Sequence, residues 1–224
     1  MPRPKPLQQP RIDRLVLDDL TDAPPSDLRA RRVHEGVRFA PGLEELHELA
    51  GATLPSLDLS ECELSGLELS DSKLIDSRLR ETRVSGLTAS VLAAQGADWR
   101  DVELSNSRLG AAEVYESVWH SVRLHGCKLG FVNLRASELV DVSFEDCTID
   151  ELDLGGATAQ RVAFEGCRIG VLEASHSRLT DVDLRGADLR LVRGIAALNG
   201  ATVSFEQLMT LAPALADELG LLVE

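Results

Sequence analysis

The chain has 224 residues, a formal net charge of −14 and only 4% aromatic residues. The length allows one or two domains with a sizeable core, and that core must be built from Leu, Val and Ala. The acidic balance argues against nucleic acid or an anionic membrane as a direct partner, and no run approaches the ~18 apolar residues of a membrane span.

Residues 1–36 read as a leader, partly disordered, with early prolines and a second pair at Pro24 and Pro25. Met1–Pro10 has no apolar core of the kind a secretory signal carries, so the expected setting is cytoplasmic. Pro25-Ser26-Asp27 has the composition of a short helix start with Ser26 as N-cap. Residues 37–51 read as an N-terminal cap. Leu43, Leu46 and Ala50 have helical spacing, which predicts a short helix or irregular cap over 42–50.

From residue 52 a different rule takes over. Every fifth residue is apolar, from Leu54 and Leu59 through to Leu184 and Leu189, over 28 consecutive positions. The residue two before each is always Ala, Ser, Thr, Cys, Val or Leu, as at Cys62, Ser72 and Val102. A period of five belongs neither to a helix nor to a flat strand, and a fixed repeat decides the fold. A longer recurrence lies over it: residues 20 apart match in type. Val102, Val122, Val142, Val162 and Val182 form one column, and Cys127, Cys147 and Cys167 another. Trp99 lies under Trp119, and Phe144 under Phe164. The column Gly66, Gly86, Asn106, Gly126, Asp146, Gly166, Gly186 holds the residues that best tolerate positive φ, and so predicts one left-handed corner through seven coils.

Ala97-Asp98-Trp99, Val132-Asn133-Leu134, Leu152-Asp153-Leu154 and Ala187-Asp188-Leu189 carry a further signature. With these units the sequence resembles the pentapeptide repeat family, over about 140 residues. The resemblance implies an all-β solenoid, a right-handed quadrilateral parallel β-helix, four pentapeptides to a coil. With the 20-residue columns this predicts about seven coils over residues 52–193. Each coil is unable to bury its apolar face alone and is covered by its neighbours.

Residues 194–224 read as a C-terminal helical cap over the open strand edge. Ser204 is placed as N-cap with Gln207 at the capping-box position. Leu208, Leu211, Leu215 and Leu219 form an apolar stripe, Pro213 should kink or split the helix, and Gly220 suits its end. The stripe is the expected interface of a homodimer, and the resemblance points the same way, since several pentapeptide repeat proteins pair through C-terminal helices.

Few residues are left for chemistry. The four cysteines take inward positions and read as buried thiols. His34, His47, His120, His125 and His176 show no metal or triad spacing. No phosphate-binding glycine loop and no general acid–base pair is legible, so no catalytic residue, cofactor or metal is expected and the protein does not read as an enzyme. The outward positions carry two lines. One is acidic: Glu61, Glu81, Asp101, Ser121, Asp141, Arg161, Asp181. The other is apolar: Val91, Ala111, Phe131, Val171 and Leu191, with Tyr115 on the next side. Glu61, Glu81, Asp101, Asp141, Asp181, Tyr115 and Phe131 are therefore the candidate partner-binding residues of a protein-binding scaffold. An alternative comes from the resemblance: quinolone-resistance members bind DNA gyrase as DNA mimics. Residues 52–191 hold 24 acids against 14 bases, about half the ~20 charges of duplex DNA over the roughly 34 Å of seven layers. A purely structural role is the third possibility.

Overall fold

The computed structural model describes residues 6–40 and 49–222. The pentapeptide dictates the path. Within each unit the chain alternates in and out like any strand, and the residue two after the central one then turns it through a corner. All 28 central residues from Leu54 to Leu189 are buried. The paired position two before them is buried too, except at Ala52 and Ser177, which are half-buried.

The coils stack as a parallel β-solenoid of about nine turns with a single C-terminal helix. Among the described residues the strands form two sheets, one of 12 strands and one of seven. Strands such as Asp98–Ser105, Val118–His125 and Glu138–Glu145 bend round one corner of the square. Strands such as Arg108–Glu113 and Lys128–Asn133 bend round the opposite one. Every pair is parallel, and the register follows the 20-residue columns, as in Trp99↔Trp119 and Val122↔Val142.

The seven coils expected from the repeat are too few because the chain joins the sheet before the repeat is in phase. Val33 pairs with Asp58 and Arg38 with Glu63, a step of 25 residues instead of 20. Thr21 pairs with Val37, a step of 16. No fixed period reveals such pairings. At the other end Ala201–Thr202 adds a strand against Val182 and Asp183. About nine layers make a rod roughly 43 Å long at about 4.8 Å each.

The corners differ from one another. Ser56, Asp76, Gly96, Glu116, Ala136, Gly156 and His176 all have positive φ, and so do all seven residues of the line from Glu61 to Asp181. The glycine-rich column is left-handed at six positions, Gly66 to Gly166, but Gly186 departs from it as the regular coils end. The fourth corner is left-handed only at Gly51 and Asp71. From Val91 onward the chain passes it without a left-handed residue, lying close over the coil beneath. A Cβ on Gly110 would stand 2.5 Å from the Ser90 carbonyl oxygen.

Inside, the like residues stack. The Trp99 and Trp119 rings lie 4.6 Å apart and 8° from parallel, and those of Phe144 and Phe164 4.8 Å apart and 11° from parallel. Bulk is shared within a coil: Trp99 shares its layer with Ala89 and Ala94, and Phe164 with Ala159. The four cysteines are free and buried, and Cys127 and Cys147 each direct Sγ at a carbonyl oxygen of the coil below.

At the N-terminal end Pro25–Asp27 is a single 3-10 turn, with Pro24 and not Ser26 at its N-cap position. The helix expected over 42–50 falls for the most part outside the described residues. At the C-terminal end the expected capping box is present. Ser204 Oγ accepts from the Gln207 amide, and Gln207 Oε1 accepts from the Ser204 amide. Gln207 Nε2 also donates to the carbonyls of Leu184 and Ala187, which clamps the helix to the last coil. The helix Phe205–Glu218 runs through Pro213 unsplit.

Candidate functional site

The acidic line sits on a left-handed corner, which explains part of its composition, since Asp tolerates that conformation better than most residues. Glu61, Glu81 and Asp101 are exposed, and Asp181 is half-buried. The middle of the line is not the open charged surface the sequence suggests: Ser121 and Asp141 are buried. Two contacts account for Asp141. Arg161, one layer above, donates Nε to Oδ1 at 2.6 Å and Nη2 to Oδ2 at 2.7 Å. The Arg11 amide donates to Oδ1 at 2.9 Å. Burial pushes this carboxyl up, but the Arg161 guanidinium and the Arg11 amide outweigh it and hold it below the usual carboxylate range.

Arg11 belongs to an extended segment, residues 6–20, that lies along the outside of the rod. The Gln8 amide donates to Asp181 Oδ1 at 3.3 Å, Gln9 Nε2 to Asp183 Oδ2 at 3.0 Å, and the Leu15 amide to Glu103 Oε1 at 3.5 Å. Arg83 Nη2 donates to the Leu15 carbonyl at 2.9 Å. Leu15 is buried, while Leu7, Pro10, Ile12 and Leu17 are half-buried. Asp183 is held down at about 2 by the Arg185 guanidinium, against burial and with help from Gln9.

Beside the acidic corner runs a line the sequence reading missed. Arg38, Glu63, Arg83, Glu103 and Arg123 are register partners in successive layers and alternate in sign. Arg38 and Glu63 are 3.6 Å apart, Arg83 and Glu103 3.1 Å, and Arg123 lies 3.6 Å from Glu103 and 3.2 Å from Glu145. Alternating sign at 20-residue spacing was the available signal, but Arg38 enters with a step of 25.

The apolar line occupies the fourth corner. Val91, Ala111, Phe131, Glu151, Val171 and Leu191 are register partners in order. Val91 and Leu191 are exposed and Phe131 is half-buried. Tyr115 is half-buried on the adjoining side. On the C-terminal helix the expected stripe divides. Leu211 is buried and Leu215 packs against the core, whereas Leu208 and Leu219 are exposed together with Phe205 and Met209. Among the described residues no group of three or more His, Cys, Asp or Glu is placed to hold a metal ion, and no helix is long and apolar enough to cross a membrane. Burial pushes the Cys62 thiol up, so this sulfur is a poor nucleophile.

This combination of a five-residue unit and stacked parallel strands that turn at four corners defines a repeat scaffold. Residues 117–193 match the family described as a pentapeptide repeat region. The coils on either side keep the same five-residue unit and the same parallel register. Among solved structures it is similar to QnrB1, a plasmid-mediated fluoroquinolone resistance protein, at 14% identity over 87% of this chain and 98% of that one, with a TM-score of 0.37. It is also similar to HetL, a pentapeptide repeat protein involved in heterocyst differentiation regulation from the cyanobacterium Nostoc, at 19% identity over 76% of this chain and 89% of that one, with a TM-score of 0.20. At those values neither comparison bears on what this chain binds. No curated protein matches the chain.

Proposed function

We propose that the protein is a non-enzymatic, protein-binding scaffold of the pentapeptide repeat type. The observation that carries this is the apolar line at the fourth corner, Val91, Ala111, Phe131, Val171 and Leu191, interrupted once by Glu151 and exposed at Val91 and Leu191. The thiols and indoles that could serve chemistry are spent inside as packing. Four free, buried cysteines suit a reducing compartment, and we place the protein in the cytoplasm as part of the same proposal. The test is affinity capture from the native cell with partner identification, followed by titration of that partner. Phe131→Asp should weaken binding by about tenfold or more, the size of a central apolar contact, and Tyr115→Ala by less. Binding unchanged by both variants would remove this corner as the docking face.

DNA mimicry of gyrase is the second proposal, favoured by Glu61, Glu81 and Asp101 exposed one above another and by the net charge of −14. The neutralised Asp141 and the adjacent alternating line weigh against it, because duplex DNA offers unbroken charge. A supercoiling assay with and without a fluoroquinolone separates the two. The scaffold proposal expects no inhibition or protection at tens of micromolar; mimicry expects both, lost on reversing Glu81 and Asp101 to Lys.

We further propose a homodimer through the C-terminal helix. Phe205, Leu208, Met209 and Leu219 leave an apolar face uncovered by the last coil. Sedimentation equilibrium should give twice the chain mass, and Leu208→Lys with Leu219→Lys should give a folded monomer. A wild-type monomer at high micromolar concentration would end the dimer proposal.

A further inference from the structure

We propose that the acidic corner and the alternating line beside it form a groove for an extended peptide. Residues 6–20 fill that groove in cis, so a partner segment of like chemistry enters only by displacing them.

The groove recognises main chain. Three backbone amides, those of Gln8, Arg11 and Leu15, donate to carboxylates of Asp181, Asp141 and Glu103, and Arg83 donates to the Leu15 carbonyl. These acceptors stand on three well-separated coils and face one line, so only a chain running along the rod meets them all. The docked segment is not a strand of either sheet. Its hydrogen bonds go to side chains, so the sheets do not depend on it. Side-chain selection falls mainly on Leu15, which is buried and which lines one space together with Ile12, Val16, Glu81, Asp101 and Ser121, and secondarily on Gln9, whose Nε2 donates to Asp183. The neighbouring Asp13, Arg14 and Val16 are exposed. The ligand class is therefore an extended segment with free amides spaced to reach Asp181, Asp141 and Glu103 and one leucine-sized anchor.

The same contacts explain why the groove is gated and not sealed. One buried side chain and a few amide–carboxylate bonds must order some fifteen residues, whose backbone entropy opposes docking. Tethering compensates, because a linked segment acts at an effective concentration in the millimolar range. A free peptide of the same sequence would then compete poorly with the intact strap and well with a damaged one. The inference uses the scaffold proposal only in taking the natural competitor to be a protein segment. It concerns a different face from Phe131, so an unaltered partner affinity in Phe131→Asp leaves it standing.

The test uses full-length protein and a fluorescent synthetic peptide of residues 6–20, followed by anisotropy. Leu15→Asp removes the anchor, and Arg11→Pro removes the amide that Asp141 accepts; both lie outside the sheets, and circular dichroism and a melt verify the fold. Each variant should bind the peptide at least tenfold more tightly than wild type, and adding Asp141→Ser should abolish the gain. Hydrogen exchange supplies a readout without the peptide: the Arg11 amide should be protected in wild type and exchange freely in Leu15→Asp. Peptide affinities within twofold across wild type and both variants, or an unprotected Arg11 amide in wild type, would overturn the proposal.

Discussion

Trp119→Ala is expected to cost about 3–5 kcal/mol of unfolding free energy, the range for removing a large buried aromatic. Trp119 is 2% exposed and stacks on Trp99 at 4.6 Å. In most cores a neighbour leans into the gap. Here the coils above and below are fixed by the parallel ladders Trp99↔Trp119 and Trp119↔Leu139, so the layers cannot close on the void. The layer itself holds small residues, Ser107, Ala112 and Ser117, that cannot reach across it. Trp119→Phe should cost less, because the buried indole N–H has no hydrogen-bond partner and its removal offsets part of the cavity. The exposed neighbour Val118 serves as control, with Val118→Ala shifting stability by less than about 0.5 kcal/mol. Urea denaturation checks all three, and a loss under about 1 kcal/mol for Trp119→Ala would mean that the layer repacks after all.

Asp141→Ser is expected to cost about 3 kcal/mol, because it strands the Arg161 guanidinium in a largely buried position. The Asp141 and Arg161 side chains are 6% and 14% exposed, and their two short bonds are the best-formed ion pair on the rod. The double variant Asp141→Ser with Arg161→Ser should cost less than the single one, since no charge is then left without its partner. Serine is a fair replacement: Ser121 occupies the same corner one layer below with φ of 59°. The same denaturation measurement decides it. Additive losses from Asp141→Ser and Arg161→Ser would show that the pair is not coupled. The single change also removes the acceptor of the Arg11 amide, so it should loosen the strap even where the coils hold.

What the sequence made legible is what the core dictates. The five-residue beat placed every central residue inside, and the 20-residue columns foretold the stacked tryptophans, the stacked phenylalanines and the valine ladder. Those signals are strong because a buried column punishes any departure in size or polarity. The capping box was legible for a similar reason, since helix ends demand few residue types. The early coils were hidden because Thr21–Ala23 and Val33–Glu35 enter the sheet at irregular steps, and pairing through backbone leaves no side-chain pattern. The acidic line was legible as a column but not as a surface. Nothing in Glu61 to Asp181 says that residues 6–20, far away in sequence, will cover its middle, or that Arg161 will turn back on Asp141. The fourth corner was likewise identified by its apolar residues before its lack of left-handed turns was visible.

The course of residues 6–20 has a mechanical consequence. Gln9 meets Asp183, 174 positions later in the chain, while Thr21 enters the opposite end of the rod. The beginning of the described chain and the C-terminal helix therefore sit at one pole, and the other pole carries neither. Tension applied between residue 6 and the C-terminal helix would peel the strap bond by bond, Asp181 first, then Asp141, then Glu103, like a zip opened from the C-terminal pole. The first coils, which the chain enters at Thr21, would be loaded only after the last tooth had opened.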